Sequence, residues 1–594
     1  MKKNTSFLDF NLFKRLLDYV LVYKLIFVFV ALAAILISLF STLTPYLIKV
    51  AVDDYLAVGK YEDFLLLICL MIGNLILTVV FMFLFSYYAN LLGQKVIYDI
   101  RVKLFNHIIN FKMTYFDRSS VGRLVTRAVN DMETIASIFS QGLFMIVADL
   151  MQMLVVVLVM LALSWKLSLT IFVILPFILF ATRKFQKSMK VAFNEVRTEV
   201  ANLNSFVQER ITGMKIVQLF NRQKIEYDNF VKINEKHKNA WLKTVWYNSI
   251  FFPIAELSTS ITIGLIVWFG GLNAILEDSS ITLGVIFLFI QLSQMLFRPL
   301  RQIADKFNTL QMGMVAANRI FKIIDTDSKI QNSGKNIGET LDGSISFKNV
   351  NFSYNQNETI INNLSFSIKN GEKIAIVGST GSGKTTIVNL ITRFYDIQGG
   401  SIFLGKNDIK EYKLSSLRSK IALVLQDVFL FADTILNNIT LYNPNISFDH
   451  VVSAAKKIGI HDFIMSMPGG YNYNVKERGV MLSQGQRQLI SFLRAYIKNP
   501  SILILDEATS SIDSNSEELI QRATLKITEN KTSIIIAHRL STIVNSDRIF
   551  VMNGGELVES GSHKELIKKK NGYYKNLYDV QFKNEKFSQV PLPV

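Results

Sequence analysis

The sequence predicts a membrane protein of two parts, a bundle of six transmembrane helices followed by a water-soluble α/β domain. Three observations predict it. Half of the 594 residues are hydrophobic and the mean hydropathy is +0.30, too apolar for an ordinary soluble chain of this length. The apolar residues crowd into long runs in the first half, whereas mixed polarity begins near Ile330. In the second half, a short apolar run leads straight into a glycine-rich loop.

A transmembrane helix needs about 20 mostly apolar residues, and runs of that kind lie near residues 25–47, 64–89, 138–162, 167–182, 250–272 and 281–300. Six crossings put both termini on one side. Residues 183–243 carry 13 Lys or Arg against 6 Asp or Glu, while residues 272–281 carry no basic residue. The positive-inside rule makes the basic side the cytoplasm. The same placement accounts for the net charge of +17 without nucleic acid, because the excess flanks a lipid bilayer whose anionic headgroups it would favour. A multi-pass protein of the cell membrane is expected, with both termini and the soluble domain cytoplasmic. Runs rich in Lys, Asn and Ile suggest a bacterial source, hence the inner or plasma membrane. Residues 1–18 mix apolar and charged positions, unlike a cleavable signal peptide.

The long inner segments, 91–137 and 183–247, keep helical patterning and are expected to extend the spans below the membrane. Before the first span, Phe7, Phe10, Phe13, Leu16, Leu17 and Val20 recur at helical spacing among Lys14, Arg15 and Asp18. That pattern suits an elbow helix lying in the interface over residues 1–22, with a solvent-exposed helix as the alternative. Within the spans, Asp149 and Glu256 should face other helices or a water-filled cavity, since charge in lipid is costly. The single cysteine, Cys69, excludes an internal disulfide and a Cys-rich metal site, and is expected to pack between helices. The membrane bundle is assigned to residues 23–322, a polar linker to 323–343, the soluble domain to 344–581 and a polar tail to 582–594.

The glycine-rich loop carries the strongest motif. Gly378, Ser379, Thr380, Gly381, Ser382, Gly383, Lys384 and Thr385 match G-x-x-x-x-G-K-[ST], between an apolar strand at 373–377 and a helix-forming run from Thr386. Polyphosphate needs several unobstructed backbone N–H groups, and a helix N-terminus adds a favourable dipole. Lys384 would reach the outer phosphates, and the Thr385 hydroxyl would ligate Mg²⁺. A second apolar strand at 501–505 ends in Asp506 and Glu507. Asp506 would hold Mg²⁺ and Glu507 would polarise the attacking water. His538, after a third apolar strand at 533–537, is placed to reach the γ-phosphate.

With these motifs in this order, and with Leu482, Ser483, Gln484, Gly485 and Gln486 between them, the soluble half resembles the ATP-binding cassette. The whole chain resembles a half-size ABC exporter with its membrane domain first. The resemblance implies an ATPase that works as a dimer, using ATP and Mg²⁺ to export an amphipathic substrate by alternating access. An ATP-gated channel, or an importer on the same fold, is the alternative. It also implies that Tyr354 stacks on adenine, that Gln426 senses Mg²⁺ or water, and that Asp513 lies in a loop crossing to the partner cassette. Segments 114–120 and 213–221 resemble the short coupling helices that dock on the cassettes, and Glu477, Arg478 and Gly479 a contact linked to them.

The usual signature reads Leu-Ser-Gly-Gly-Gln, and Gln484 replaces its first glycine. Glycine allows close backbone approach, so Gln484 is expected to impair the site it faces on the other subunit. Because this chain keeps Lys384, Glu507 and His538, a heterodimer with a different half-transporter is favoured. A homodimer tolerating the substitution is the alternative.

Overall fold

The computed structural model describes residues 10–59, 64–275, 281–330, 332, 334–335, 342–355, 358–506, 514–536 and 540–581. Two compact units divide the chain. One holds residues 1–109 and 120–327; the other holds 328–594 together with the short segment 110–119.

The first unit is helical. It comprises α1 (Phe10–Leu21), α2 (Lys24–Val50), α3 (Phe64–Ile109), α5 (Val121–Thr126), α6 (Met132–Ser137), α7 (Phe144–Leu163), α8 (Trp165–Thr212), α9 (Met214–Leu219), α10 (Gln223–Ile275) and α11 (Leu283–Ile324). Helix α4 (Met113–Arg118) belongs to the second unit. Among the described residues, six helical stretches are long and apolar enough to cross a membrane: Lys24–Leu56, Phe64–Ile109, Val121–Leu163, Trp165–Thr212, Gln223–Ala274 and Leu283–Leu300. They coincide with the six apolar runs, and the expected extensions are present. At 1.5 Å per residue, α8 reaches about 72 Å, more than twice a bilayer's hydrocarbon core.

Ser164 ends α7 in extended backbone and caps α8, its hydroxyl accepting the Leu167 N–H at 3.4 Å. A tight outer turn results. Helix α1 buries Leu16 and Val20 and leaves Phe10 exposed, as an interfacial helix requires. It is held by Arg15, which grips Asp325 at the end of α11 with two bonds of 2.7 Å and lies over the Phe321 ring.

Asn74 and Asp149 in the spans turn inward. Asn74 on α3 donates to the Phe40 carbonyl at 3.0 Å and the Thr44 hydroxyl at 2.8 Å on α2. Asp149 on α7 pairs with Lys306 on α11, as expected of a charge kept from lipid. Glu256 is exposed on α10, so in a membrane that face must turn to water or to another chain. Cys69 corrects an expectation. It is exposed on α3 among Leu66, Ile68 and Leu70 instead of packed between helices. A thiol is apolar enough for a lipid-facing position.

The second unit is built on two sheets. An antiparallel sheet has the order β2 (Ile361–Ile368), β1 (Ile345–Phe352), β4 (Gly399–Leu404), β5 (Asn407–Asp408). A six-stranded sheet has the order β10 (Glu556–Gly561), β9 (Arg548–Asn553), β3 (Lys373–Gly378), β8 (Thr532–Ile536), β7 (Ile502–Asp506), β6 (Ile421–Val424). All its pairings are parallel except β9 with β10. Its central strands are continuous apolar runs because both faces are covered. The helices are α12 (Lys384–Ile391), α13 (Leu414–Ser419), α14 (Ile435–Thr440), α15 (Phe448–Ile458), α16 (His461–Met465), α17 (Gln484–Ile497), α18 (Ser514–Ile527), α19 (Leu540–Val544), α20 (His563–Leu566) and α21 (Tyr573–Gln581). One core lies between the sheets and α12, where Phe347, Ile376, Ile387 and Phe550 meet. The other lies on the opposite face of the parallel sheet, where Leu489, Phe492 and Leu493 of α17 pack against Leu503 and Leu505.

Candidate functional site

Ligands of open parallel sheets bind beyond the carboxyl ends of the strands, and β3 and β7 both deliver motif residues there. The loop after β3 is a cradle of backbone. Gly378, Gly381 and Gly383 have φ of 155°, 83° and 96°, in the region that favours glycine. A Cβ on Gly378 would stand 2.2 Å from the Met552 carbonyl oxygen, and one on Gly383 2.7 Å from Ile361. Gly383 then opens α12, so the first N–H groups of that helix face the loop.

Lys384 is buried. Its ammonium donates to the carbonyls of Gly378 at 2.9 Å and Ser379 at 2.8 Å. Burial pulls its pKa below the ordinary lysine value, and the nearby charge of Asp506 opposes that shift. Ser382 Oγ is buried without a hydrogen-bond partner among the described residues. A buried cation, an orphaned hydroxyl and a loop in which Gly378 and Gly383 leave no room for a Cβ together fit a triphosphate. Thr385, Ser379 and Thr380 are exposed at the mouth of the loop. Asp506 is the last residue of β7, buried and paired in register with Ile536 of β8. Gln426 is exposed two residues beyond β6. Asp506, Thr385 and Gln426 offer an acid, a hydroxyl and an amide oxygen, donor types suited to a hard cation such as Mg²⁺. Glu507, Asp513 and His538 lie outside the described residues, although β7 and β8 lead to Glu507 and His538.

Tyr354 follows the end of β1 and is not a strand residue. Its hydroxyl donates to Thr386 Oγ1 at 3.3 Å and accepts from Asn389 Nδ2 at 3.1 Å. Thr386 is therefore buried against Tyr354, away from the loop mouth where Thr385 sits.

The segment 482–486 is the start of α17. Ser483 is its N-cap in a capping box: its hydroxyl accepts the Gln486 N–H at 3.2 Å, and the Gln486 side chain accepts the Ser483 N–H at 3.0 Å. Gln484 is half-buried in the first helical position, and Gly485 is buried. The backbone at Gln484 is right-handed helix, a conformation any residue adopts, so glycine's conformational freedom is not needed there.

Three residues that sequence reasoning missed tie segments of the second unit together. Arg487 on α17 donates to the Leu482 carbonyl at 2.8 Å and to that of Gly479 at 3.4 Å, joining the signature to the Glu477–Gly479 turn. Arg494, two turns on, donates to the Asn438 carbonyl at 2.8 Å. Tyr395 donates to Asp117 Oδ2 at 2.7 Å. Arg494 and Tyr395 become visible only through partners 56 and 278 residues away, whereas Arg487 bonds carbonyls five and eight residues before it.

This cradle, set behind six membrane-crossing helices in one chain, defines an ATP-driven membrane transporter. The family profile of the ABC transporter transmembrane region matches residues 27–300, and that of the ABC transporter ATPase domain matches residues 361–510. An uncharacterised ABC transporter ATP-binding protein of Bacillus subtilis is 37% identical, covering 96% of this chain and 94% of its own. A putative multidrug export ATP-binding/permease protein of Staphylococcus aureus is 36% identical over 96% of this chain and 99% of its own. An ATP-dependent lipid A-core flippase of Syntrophus aciditrophicus is 33% identical over 98% and 96%. The chain belongs to the ABC transporter family, as a half-size exporter of the multidrug and lipid-flippase type. It is a multi-pass membrane protein whose cassette binds ATP and couples its hydrolysis to export. Exporters of this family work as dimers.

Proposed function

We propose that this chain is one half of a dimeric exporter that moves an amphipathic molecule, a lipid or an apolar drug, out of the cytoplasm. The glycine cradle around buried Lys384, with Asp506 at the end of β7, one strand removed from β3, carries the proposal. The cassette and both termini are cytoplasmic, a reading supported by the basic residues of the long inner segments.

Backbone N–H groups from Ser379 to Thr386 hold the phosphates of ATP. Lys384 exchanges its carbonyl partners for the outer phosphates, a trade eased by its position already inside the loop. Thr385, Gln426 and Asp506 would hold Mg²⁺, which when bound offsets charge on the phosphate oxygens. Tyr354 presents its ring to adenine. Glu507 orients and polarises the attacking water, His538 steadies the γ-phosphate, and Ser483, Gln484, Gly485 and Gln486 face the nucleotide held by the partner subunit. Asp513 lies in the loop that crosses between cassettes. Nucleotide contacts made only in the closed pair favour the outward-facing bundle, and hydrolysis removes them.

Apolar side chains support dimerisation. Met214, Ile216, Leu219 and Phe220, on and beside α9, are exposed in the single chain. So are Phe429, Phe431, Val480 and Met481 on the cassette. Such patches mark interaction surfaces; we assign the first to the coupling helix that docks on the partner's cassette. A heterodimer remains the favoured assembly, because the Gln484 side chain adds bulk at the signature. The ordinary backbone there leaves side-chain bulk as the obstacle to a homodimer.

Glu507→Gln tests the catalytic reading. It should lower hydrolysis by about 100-fold or more while ATP stays bound, as loss of a catalytic group requires. Steady turnover in that variant, measured by phosphate release, would remove Glu507 from its role. Brisk hydrolysis by the purified chain alone in lipid nanodiscs would favour the homodimer; activity that needs a second half-transporter would favour the heterodimer.

A further inference from the structure

The second unit joins the adenine-facing tyrosine to segment 110–119 through side chains that no motif identifies. Tyr354, Tyr395 and Phe352 form a cluster of three rings. Tyr354 meets Tyr395 nearly edge-on with centroids 5.0 Å apart and Phe352 edge-on at 4.9 Å, while Phe352 and Tyr395 are 5.8 Å apart. Edge-to-face pairs have a preferred geometry, so displacing one ring disturbs its neighbours. The Tyr395 hydroxyl leaves this cluster and donates to the Asp117 carboxylate at 2.7 Å, a short charge-assisted bond. Desolvation and Asp117 both push the Tyr395 phenol pKa up, which keeps the donor proton in place.

The contact is reinforced on both sides. Arg118 approaches Asn355 Oδ1 at 3.4 Å, one residue beyond Tyr354, and Lys112 pairs with Asp396 at 3.7 Å, one residue beyond Tyr395. The backbone of the same segment is pinned to the start of the linker. The Lys112 N–H donates to the Ser328 carbonyl at 2.6 Å, and Phe111 forms an antiparallel bridge with Lys329.

We propose that Tyr395 is a positioning residue that fixes the Tyr354 ring for the adenine and transmits its occupancy to segment 110–119 through Asp117. The proposal rests on Tyr354 being the adenine-stacking residue. A base settling on Tyr354 restricts that ring, the edge-on contact restricts Tyr395, and the hydroxyl restricts Asp117. Segment 110–119 then becomes more ordered when the site holds a nucleotide with a base than when it holds polyphosphate alone. A merely space-filling Tyr395 would need its ring but not its hydroxyl.

Hydrogen exchange of the full-length protein in lipid nanodiscs, with its partner chain if it needs one, tests this directly. ATP should slow exchange in residues 110–119 by about tenfold, and inorganic tripolyphosphate should not. Tyr395→Phe keeps the ring cluster, so ATP affinity should stay within about twofold, yet the slowing by ATP should fall below about twofold. Asp117→Asn should behave alike, and the double variant should be no worse than either single one, as expected of two members of one contact. Slowing in Tyr395→Phe equal to that of the unaltered protein would overturn the proposal. So would exchange that rises by the same factor with and without ATP, which marks a structural bond only. Tyr354→Ala separates the underlying reading. If that variant still prefers ATP over tripolyphosphate as the unaltered protein does, Tyr354 is not the adenine residue and the relay loses its origin.

Discussion

Both units have an apolar core, but the membrane unit also leaves long rows of apolar side chains exposed. In the cassette, α17 turns Leu489, Ile490, Phe492 and Leu493 into a closed core, with only Gln488 and Ser491 as buried polar side chains among them. In the membrane unit, α3 leaves Leu65, Leu66, Leu70, Leu75 and Ile76 exposed and buries Asn74. The inward-facing polar residues of the spans include Ser38, Thr42, Ser168, Ser258 and Thr262, each donating to the carbonyl four residues earlier. The difference teaches that burial is defined by the solvent. Water drives apolar surface inward, whereas lipid is as apolar as leucine and leaves packing and hydrogen bonds to hold helices together.

The comparison can be broken by making one kind of truncation in both units. Phe492→Ala should destabilise the cassette by about 4 kcal/mol through lost burial and a cavity, whereas Leu66→Ala on α3 should cost under about 0.5 kcal/mol. Hydrogen exchange of each unit under increasing denaturant reads both, and equal costs would refute the contrast.

Polar contacts between spans come next. Asp53, in the helical turn after α2, accepts the Gly284 N–H at 2.8 Å and the Thr282 hydroxyl, with Lys49 3.4 Å away. It caps the start of α11, and a Cβ on Gly284 would stand 2.6 Å from its carboxylate. Asp53→Ala should loosen that end by about 1–2 kcal/mol, seen as faster exchange at the first turn of α11. Thr262→Val removes only a bond within its own helix and should cost about 0.6 kcal/mol or less.

The smallest effect is expected at the water-facing clamp between Arg15 and Asp325. The Arg15 hydrogen bond, aided by its charge, holds the Asp325 carboxyl below its ordinary range despite some desolvation. A lowered folded pKa means the stabilisation is fully present above the ordinary aspartate value of about 4 and fades as pH falls through the lower folded value. Both side chains are substantially exposed, so solvent screening keeps the contribution small. Asp325→Asn at pH 7 should reproduce the acid-loosened α1, read as faster exchange of Phe10–Leu21.

The expected strands matched where composition was locally decisive. The parallel run 373–377 became β3, and 533–537 became β8 at Thr532–Ile536. The third crossing was less legible. Its apolar stretch was expected near 138–162 with helix extending below it, and helix does run from Val121, but the π-helical turns at Arg127–Asp131 and Ile138–Leu143 were not foreseen. The sequence also gave no sign of the partner that holds this stretch; Asp131 pairs with Arg319 of α11 at 3.3 Å. Cys69 shows the same limit, since an apolar setting does not say which side of a helix meets lipid and which meets protein.

The sequence alone determined the six spans, the phosphate loop and the strand that presents Asp506, because each depends on hydropathy or backbone freedom over a few neighbouring residues. Only the tertiary structure decided the partners: Asp149 with Lys306, 157 residues apart; Asp53 with Gly284, 231 apart; and Tyr395 with Asp117, 278 apart. Those pairings depend on how long helices rotate and cross. A charge or hydroxyl in the sequence states that it needs a partner, but packing selects which one.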